Sequence, residues 1–232
     1  MKQIQRLEKA DNSVANHLER RRNGGVLNQD HSAGLERHLC APQREHQLSL
    51  LLEQTRIIPA VRAPQFLAQS VKPPGKIVYF LFGEPEDIGE MSRLVLTAGK
   101  VPVVNIDLAA GLARDQAAIS FLVHRQVQGI ASTHPEPLRA ARNFGLFAIK
   151  RTFLLDSAAL DSALRSLDQF EPDALEVLPA MSAPRILDKL RQRYPHLPVI
   201  AGGLIKTLRE IEELVQTGIS SVSVSDYRLW VA

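Results

Sequence analysis

Residues able to do chemistry recur where short apolar runs end. They are Arg62, Glu84, Asn105, Asp107, Ser132, Thr133, His134, Lys150, Arg151, Glu176, Gly202, Gly203, Ser223 and Ser225. Val199–Ile205 carries the pair Gly202-Gly203, and a second run alternates serine with valine from Ser221 to Ser225. Glycines let a backbone approach an anion and present N–H groups to it, and a following helix N-terminus adds partial positive charge. With the Ser223 hydroxyl this makes a phosphate site. Asp107 and Glu176 are placed to meet ligand hydroxyls, and Arg62, Asn105, Lys150, Arg151 and Ser225 complete a polar rim. Alternatively, Asp107 and Glu176 form internal ion pairs with Lys150 or Arg151, because a carboxylate inside a run such as Ala174–Leu178 needs a buried partner. His134, followed by Pro135, reads as a loop residue, and Asp115 and Asp156 read as helix caps.

The elements that must position these residues follow from the hydrophobic pattern. Apolar runs mark strands at 57–61, 77–82, 101–106, 129–132, 147–153, 174–178, 198–201 and 222–225. Their continuous apolar character suits parallel strands covered on both faces. Helical patterns fall between them: a short one after Pro64, then 86–98, 114–123, 136–144, 157–170, 183–194 and 208–216. Gly99, Gly145 and Gly218 each end a helical stretch. This alternation predicts a single α/β domain, a (β/α)8 TIM-type barrel over 57–232, with its last helix nearly absent and a helical and linker extension over 1–56. In that extension a triple arginine, Arg20 to Arg22, ends a first helical stretch, and Leu48, Leu51 and Leu52 mark a helix over 44–54. That helix is expected to cover the outer face left bare near strands 8 and 1.

Net charge is only +3, which gives no strong argument for nucleic acid. A single cysteine, Cys40, excludes an internal disulfide and a cysteine metal site, and the histidines at 17, 31, 38 and 46 make no compact metal pattern. A cytoplasmic setting, no membrane span and no cofactor are expected.

Ile57–Arg62, Asn105–Leu108 with Gly111–Asp115, Lys150–Ser157, Glu176–Pro179, Ala201–Ile205, Ser223–Asp226 and Leu229-Trp230 together resemble the glycerol-3-phosphate-responsive antiterminator family, over roughly residues 48–230. The resemblance implies a small barrel that binds glycerol 3-phosphate and a leader mRNA and regulates glycerol uptake operons. This chain departs from the family pattern at Asn105 (usually His), Lys150 (usually Gln), Ala180 (usually Gly), Val224 (usually Thr) and Asp226 (usually Asn). A carboxylate gained beside a phosphate site weakens anion binding, and Lys150 adds compensating charge.

Three functions follow. The first is an effector-controlled RNA-binding regulator, whose RNA-phosphate contacts would come from Arg139, Arg142, Arg185, Lys189, Arg193, Lys206 and Arg209. Arg185, Lys189 and Arg193 fall on one helical face at four-residue spacing. The second is an enzyme acting on a small phosphorylated substrate, with Lys150 as a Schiff-base amine, Glu176 or Asp107 moving protons, and Mg2+ on the carboxylates. The third is a ligand-binding homologue without RNA recognition. A homodimer is the expected assembly.

Overall fold

The computed structural model describes residues 41–230, with side chains described from 43 onward. The expectations for residues 1–40, including the helix ending at Arg20 to Arg22, lie outside the described residues. Eight strands close into a barrel in chain order: β1 (Ile57–Val61), β2 (Ile77–Phe80), β3 (Val101–Asn105), β4 (Gly129–Ser132), β5 (Phe147–Phe153), β6 (Ala174–Leu178), β7 (Val199–Gly202) and β8 (Ser221–Val224). Every pairing is parallel, and β1 closes on β8 through Ile58 and Ser223. The expected (β/α)8 barrel is therefore the architecture.

The helices are α1 (Ala41–Glu53), α2 (Leu67–Ser70), α3 (Pro85–Thr97), α4 (Gln116–His124), α5 (Pro135–Asn143), α6 (Ser157–Gln169), α7 (Leu187–Arg193) and α8 (Leu208–Gln216). Asp115 and Asp156 cap α4 and α6, accepting from Ala118 N–H and Ala159 N–H. The helix expected over 183–194 is instead two 3-10 turns, Ala180–Ser182 and Pro184–Ile186, followed by α7. Pro184 starts its own turn, as a residue without an N–H can do only at a helix beginning. Gly99, Gly145 and Gly218 take positive φ of 71°, 76° and 92°, as helix-ending glycines do.

Side-chain alternation sorts the strand residues into two layers. Val61, Val78, Phe80, Val104, Ile130, Ala148, Leu175, Val177, Val199 and Val222 pack with the helices. Ile58, Ala60, Ile77, Tyr79, Val103, Ala131, Phe147, Ile149, Ala174 and Ile200 pack with one another inside the barrel.

Leu48 and Leu52 of α1 belong to this interior group, and both are fully buried. Placement of α1 on the outer face near strands 8 and 1 is thus corrected: the helix lies across the N-terminal mouth and closes the barrel floor. At one end, Arg44 Nε donates to both carboxylate oxygens of Asp173 at 3.1 and 3.0 Å, and Ala148 N–H donates to the same carboxylate at 2.7 Å. At the other end, Ser221 Oγ donates to Leu52 O at 3.1 Å. The physical reason is the lumen itself. An open floor would leave Ile77, Phe147 and Ala174 facing water, and two leucines one helical turn apart fill it. The flank beside β8 and β1 is closed by the C-terminal turn Tyr227–Leu229: Trp230 is buried, its Nε1–H donates to Val224 O, and Tyr227 stacks on Phe66 with centroids 4.8 Å apart.

Arg44 and Asp173 are buried at 3% and 1% exposure, so removing either partner strands a charge inside the floor. Arg44→Ala is expected to lower unfolding free energy by about 3–5 kcal/mol, and Leu48→Ala by about 2–5 kcal/mol, in urea denaturation followed by circular dichroism.

Candidate functional site at the barrel mouth

Strand parity divides the expected site residues into two groups. Asn105, Arg151, Glu176, Gly202 and Ser223 continue the inward rows of their strands. Lys150 continues the outward row of β5, because Ile149 and Arg151 flank it on the inside.

The inward group centres on Glu176, which is 1% exposed. Arg151 stands opposite it in register and its Nε donates to Glu176 Oε2 at 2.5 Å. Ser223 Oγ–H donates to Glu176 Oε1. Gly202 lies opposite Ser223 in register. A Cβ at Gly202 would fall 2.3 Å from Ser223 Oγ and 2.8 Å from Glu176 Oε1, so glycine is the residue that lets this triad close. The reading of Glu176 as one partner of an internal ion pair with Arg151 matches this geometry. Only Nε of Arg151 bonds to protein among the described residues, which leaves the Nη groups for a ligand.

Two further groups enter this compartment. Asn105 is 1% exposed: its Oδ1 accepts from Asp107 N–H at 3.1 Å, while its Nδ2 is buried without a partner. Tyr79, also 1% exposed, has a buried hydroxyl without a partner. Burial first, then the Glu176 charge, push its phenol well above the usual range, against the opposing pull of Arg151, so the hydroxyl remains a proton donor. Sequence reasoning missed Tyr79 because it sits in an apolar run. Its position in the inward row of β2 was the available signal.

The second group ties the rim. Asp107 accepts from Ser132 Oγ at 2.7 Å, Thr133 N–H at 2.7 Å, Thr133 Oγ1 at 2.9 Å and Arg114 Nε at 3.1 Å, and lies 3.3 Å from His134 Nδ1. Burial raises its pKa, but the bonds from Thr133 and Ser132 and the His134 charge outweigh burial and hold the carboxyl below its ordinary value. Asp107 thus fastens the β3–α4 loop to the β4–α5 loop. Lys150 Nζ donates to Thr133 O at 3.0 Å, facing α5. Burial lowers its pKa, opposed by the charges of Glu136 and Asp107. It is not brought to Glu176, so the geometry gives the Schiff-base reading no support. Arg62 and Ser225 are exposed at the mouth.

The expected helix-terminus contribution to a phosphate site is taken by the chain's own carboxylates. Glu210 of α8 closes a capping box with Thr207 and also accepts from Lys206 N–H. Asp226 caps the turn after β8, accepting from Arg228 N–H at 3.0 Å, and its other oxygen meets Arg228 Nη2 at 2.7 Å. Gly203 takes φ +83°, and a Cβ there would touch only Leu178 and Pro179 at 3.5 and 4.0 Å.

The basic candidates do not share one face. Arg142 points to the floor, reaching Glu45 at 2.9 Å and the Glu171 carbonyl, and both Arg139 and Arg142 sit over the Phe170 ring. Arg193 turns to Asp168 at 2.6 Å, and Arg209 pairs with Glu213 at 2.7 Å. Arg185, Lys189 and Lys206 are exposed. Because Arg185 lies on a separate 3-10 turn, the four-residue spacing does not run along one helix. Two clefts lie away from the mouth. One, of about 240 Å³, has α1 and α7 residues including Glu53 and Arg191 in its wall; the other lies between the ends of α6 and α7. Among the described residues no group of three or more His, Cys, Asp or Glu side chains could hold a metal ion, and no helix is long and apolar enough to cross a membrane.

A closed parallel barrel with alternating helices and a polar, arginine-bearing mouth over an apolar lumen places the chain in the TIM-type (β/α)8 class. The model of one family, glycerol-3-phosphate responsive antiterminator, matches residues 57–230, and the chain belongs to that family. It is 29% identical over 185 residues to the Escherichia coli K12 protein YgcP, covering 78% of this chain and 94% of that one. Among solved structures, it resembles the glycerol uptake operon antiterminator regulatory protein of Listeria monocytogenes, with 29% identity, a TM-score of 0.70, and 76% and 95% of the two chains covered. It also resembles a glycerol uptake operon antiterminator-related protein of Thermotoga maritima, with 27% identity, a TM-score of 0.68, and 76% and 98% covered.

Gly202→Ala forces Ser223 and Glu176 apart and is expected to cost about 1–3 kcal/mol by thermal melting. Gly203→Ala meets no clash, but alanine at its positive φ is strained and costs about 1–2 kcal/mol. Asp107, with its lowered pKa, contributes stability that is present above its unfolded value and lost as pH falls through the folded one. Asp107→Asn is therefore expected to cost about 1–3 kcal/mol at pH 7. The gap from the parent in urea midpoint should close as pH drops below the ordinary carboxyl value of 3.8.

Proposed function

We propose that this protein is an antitermination regulator that binds a leader mRNA and is controlled by glycerol 3-phosphate or a related phosphorylated small molecule at the barrel mouth. Membership of the antiterminator family carries this reading. The mouth supports the ligand half. Arg151 offers unbonded guanidinium N–H groups to an anion, Arg62 is exposed at the end of β1, and Glu176 is already neutralised. The RNA half is supported by Phe153 and Leu204, exposed at 53% and 79% at the end of β5 and after β7, and by the exposed Arg185 and Lys206 on the segments after β6 and β7. An exposed ring together with cations suits unpaired bases, the part of RNA that proteins read. A ligand that orders these loops changes RNA affinity by its own preference for the bound form, and by linkage RNA changes ligand affinity equally.

The deciding experiment measures binding of the operon leader RNA, with and without glycerol 3-phosphate, while ligand consumption is followed in the same samples. The expected outcome is salt-sensitive binding tighter than to scrambled RNA, a shift in affinity on adding ligand, and no consumption. Binding equal to scrambled RNA at all ligand concentrations would leave the protein a ligand-binding homologue. Consumption abolished by Lys150→Ala would make it an enzyme.

A further inference from the structure

Two polar groups in the barrel stand out because the fold gives them nothing to bond. Tyr79 Oη and Asn105 Nδ2 are buried without partners, on side chains each 1% exposed. An unpaired buried donor costs stability, and a phenylalanine would fill the Tyr79 position without that cost. Both residues lie in the inward rows of adjacent strands, β2 and β3, with Asn105 two residues beyond Val103, the register partner of Tyr79. Tyr79 packs in the same interior layer as Ile149, the inward neighbour of Arg151 two residues back along β5, and Arg151 stands in register with Glu176. Asn105 is oriented by its other end, since Oδ1 accepts from Asp107 N–H and so turns Nδ2 away from the rim loop. These two donors and Arg151, whose Nε alone bonds to protein among the described residues, all belong to inward rows of the one closed barrel. Every other polar group of the inward triad is satisfied: Ser223 Oγ–H donates a hydrogen bond to Glu176, and Glu176 has two donors.

We infer that Tyr79 and Asn105 form the hydroxyl-recognising part of the ligand site, donating to the oxygens of a hydroxylated anion whose charged group rests on Arg151. The inference deepens the proposed function and rests on its ligand half. It names what selects the ligand: two neutral donors below a cation require hydroxyl or carbonyl oxygens next to the anionic group. Inorganic phosphate satisfies the cation alone. A site built to hydrogen-bond hydroxyls discriminates strongly against ligands lacking them, because its own donors are then left unpaired.

The test uses the full chain and two substitutions, Tyr79→Phe and Asn105→Ala, with glycerol 3-phosphate, ethyl phosphate and inorganic phosphate as calorimetric probes. Thermal melting of the ligand-free proteins is run alongside. Tyr79→Phe is expected to melt no lower than the parent, since no protein group loses a bond. It should bind glycerol 3-phosphate roughly five- to ten-fold more weakly, the loss of one hydrogen bond, while inorganic phosphate and ethyl phosphate bind as before. Asn105→Ala should also narrow the preference for glycerol 3-phosphate over ethyl phosphate. A Tyr79→Phe protein that melts several degrees lower would show the hydroxyl serving the fold through bound water, and would overturn the inference. So would equal weakening of all three probes, or unchanged glycerol 3-phosphate binding. If the parent binds no glycerol 3-phosphate but does bind another hydroxylated anion, such as glycerate 3-phosphate, and Tyr79→Phe weakens it, the effector of the proposed function is wrong and the inference stands. Binding of none of these hydroxylated probes would overturn the inference as well.

Discussion

A carboxylate sealed inside a barrel cannot stand alone, and the mouth of this protein is arranged around that fact. Glu176, at 1% exposure, would carry a desolvation cost of several kcal/mol if unpaired. Arg151 supplies the opposite charge from the neighbouring strand in direct register, and Ser223 supplies a proton from the strand beyond Gly202. The triad reaches around the wall from β5 to β8 and skips β7 only because Gly202 has no side chain. Any residue larger than glycine there would break a bond that neutralises a buried charge, so the Gly-Gly pair is a packing requirement before it is a binding feature.

The same lumen is apolar below and polar above, and its two ends are closed by different physics. At the floor, Leu48 and Leu52 complete a dry layer with Ile77, Phe147 and Ala174. Arg44 and Asp173 fasten the helix that carries them. At the mouth, hydrogen bonds rather than hydrocarbon set the positions of side chains. Asp107 locks two loops together, and Asn105 hangs from that lock by one oxygen. The floor is thus fastened by burial and one ion pair, and the β3–α4 and β4–α5 loops by hydrogen bonds to one carboxylate.

Most of the architecture was legible in the sequence. Parallel strands buried on both faces read as apolar runs, and the helices between them have ordinary caps such as Asp115, Asp156 and Thr207. The ends of the strands identified Arg151, Glu176, Gly202 and Ser223. What adjacency in sequence hid was the side each residue faces. Lys150 and Arg151 are neighbours in the chain, yet one faces α5 and the other the lumen. Counting alternation back from Ile149 separates them once the strand's inner face is known. The floor helix was legible as a helix and not as a plug, because two leucines a turn apart fit an outer face as well as a lumen. Tyr79 was hidden for a related reason: only the inner row of β2 shows that its hydroxyl is buried inside the barrel without a partner.

The departures from the family pattern gain a physical sense from this geometry. Asp226 introduces a carboxylate beside the mouth, but Arg228, two residues on, takes both of its oxygens, so the pair adds little net charge to the approaching ligand. The backbone N–H that an anion would use at that turn is given to Asp226 instead. Glu210 does the same at α8. Under the proposed function an anion would therefore meet side-chain cations, Arg151 above all, where helix termini serve in many barrels. Asn105 contributes in the same sense. Where a histidine could change charge near neutral pH, asparagine offers a fixed neutral donor, and Tyr79, held protonated by burial, offers a second. On the proposed reading, recognition by a permanently charged guanidinium and two non-titrating donors would keep the same hydrogen-bonding pattern across the physiological pH range, so that the ligand's own concentration and ionisation, and not the protein's protonation state, would govern occupancy of the mouth.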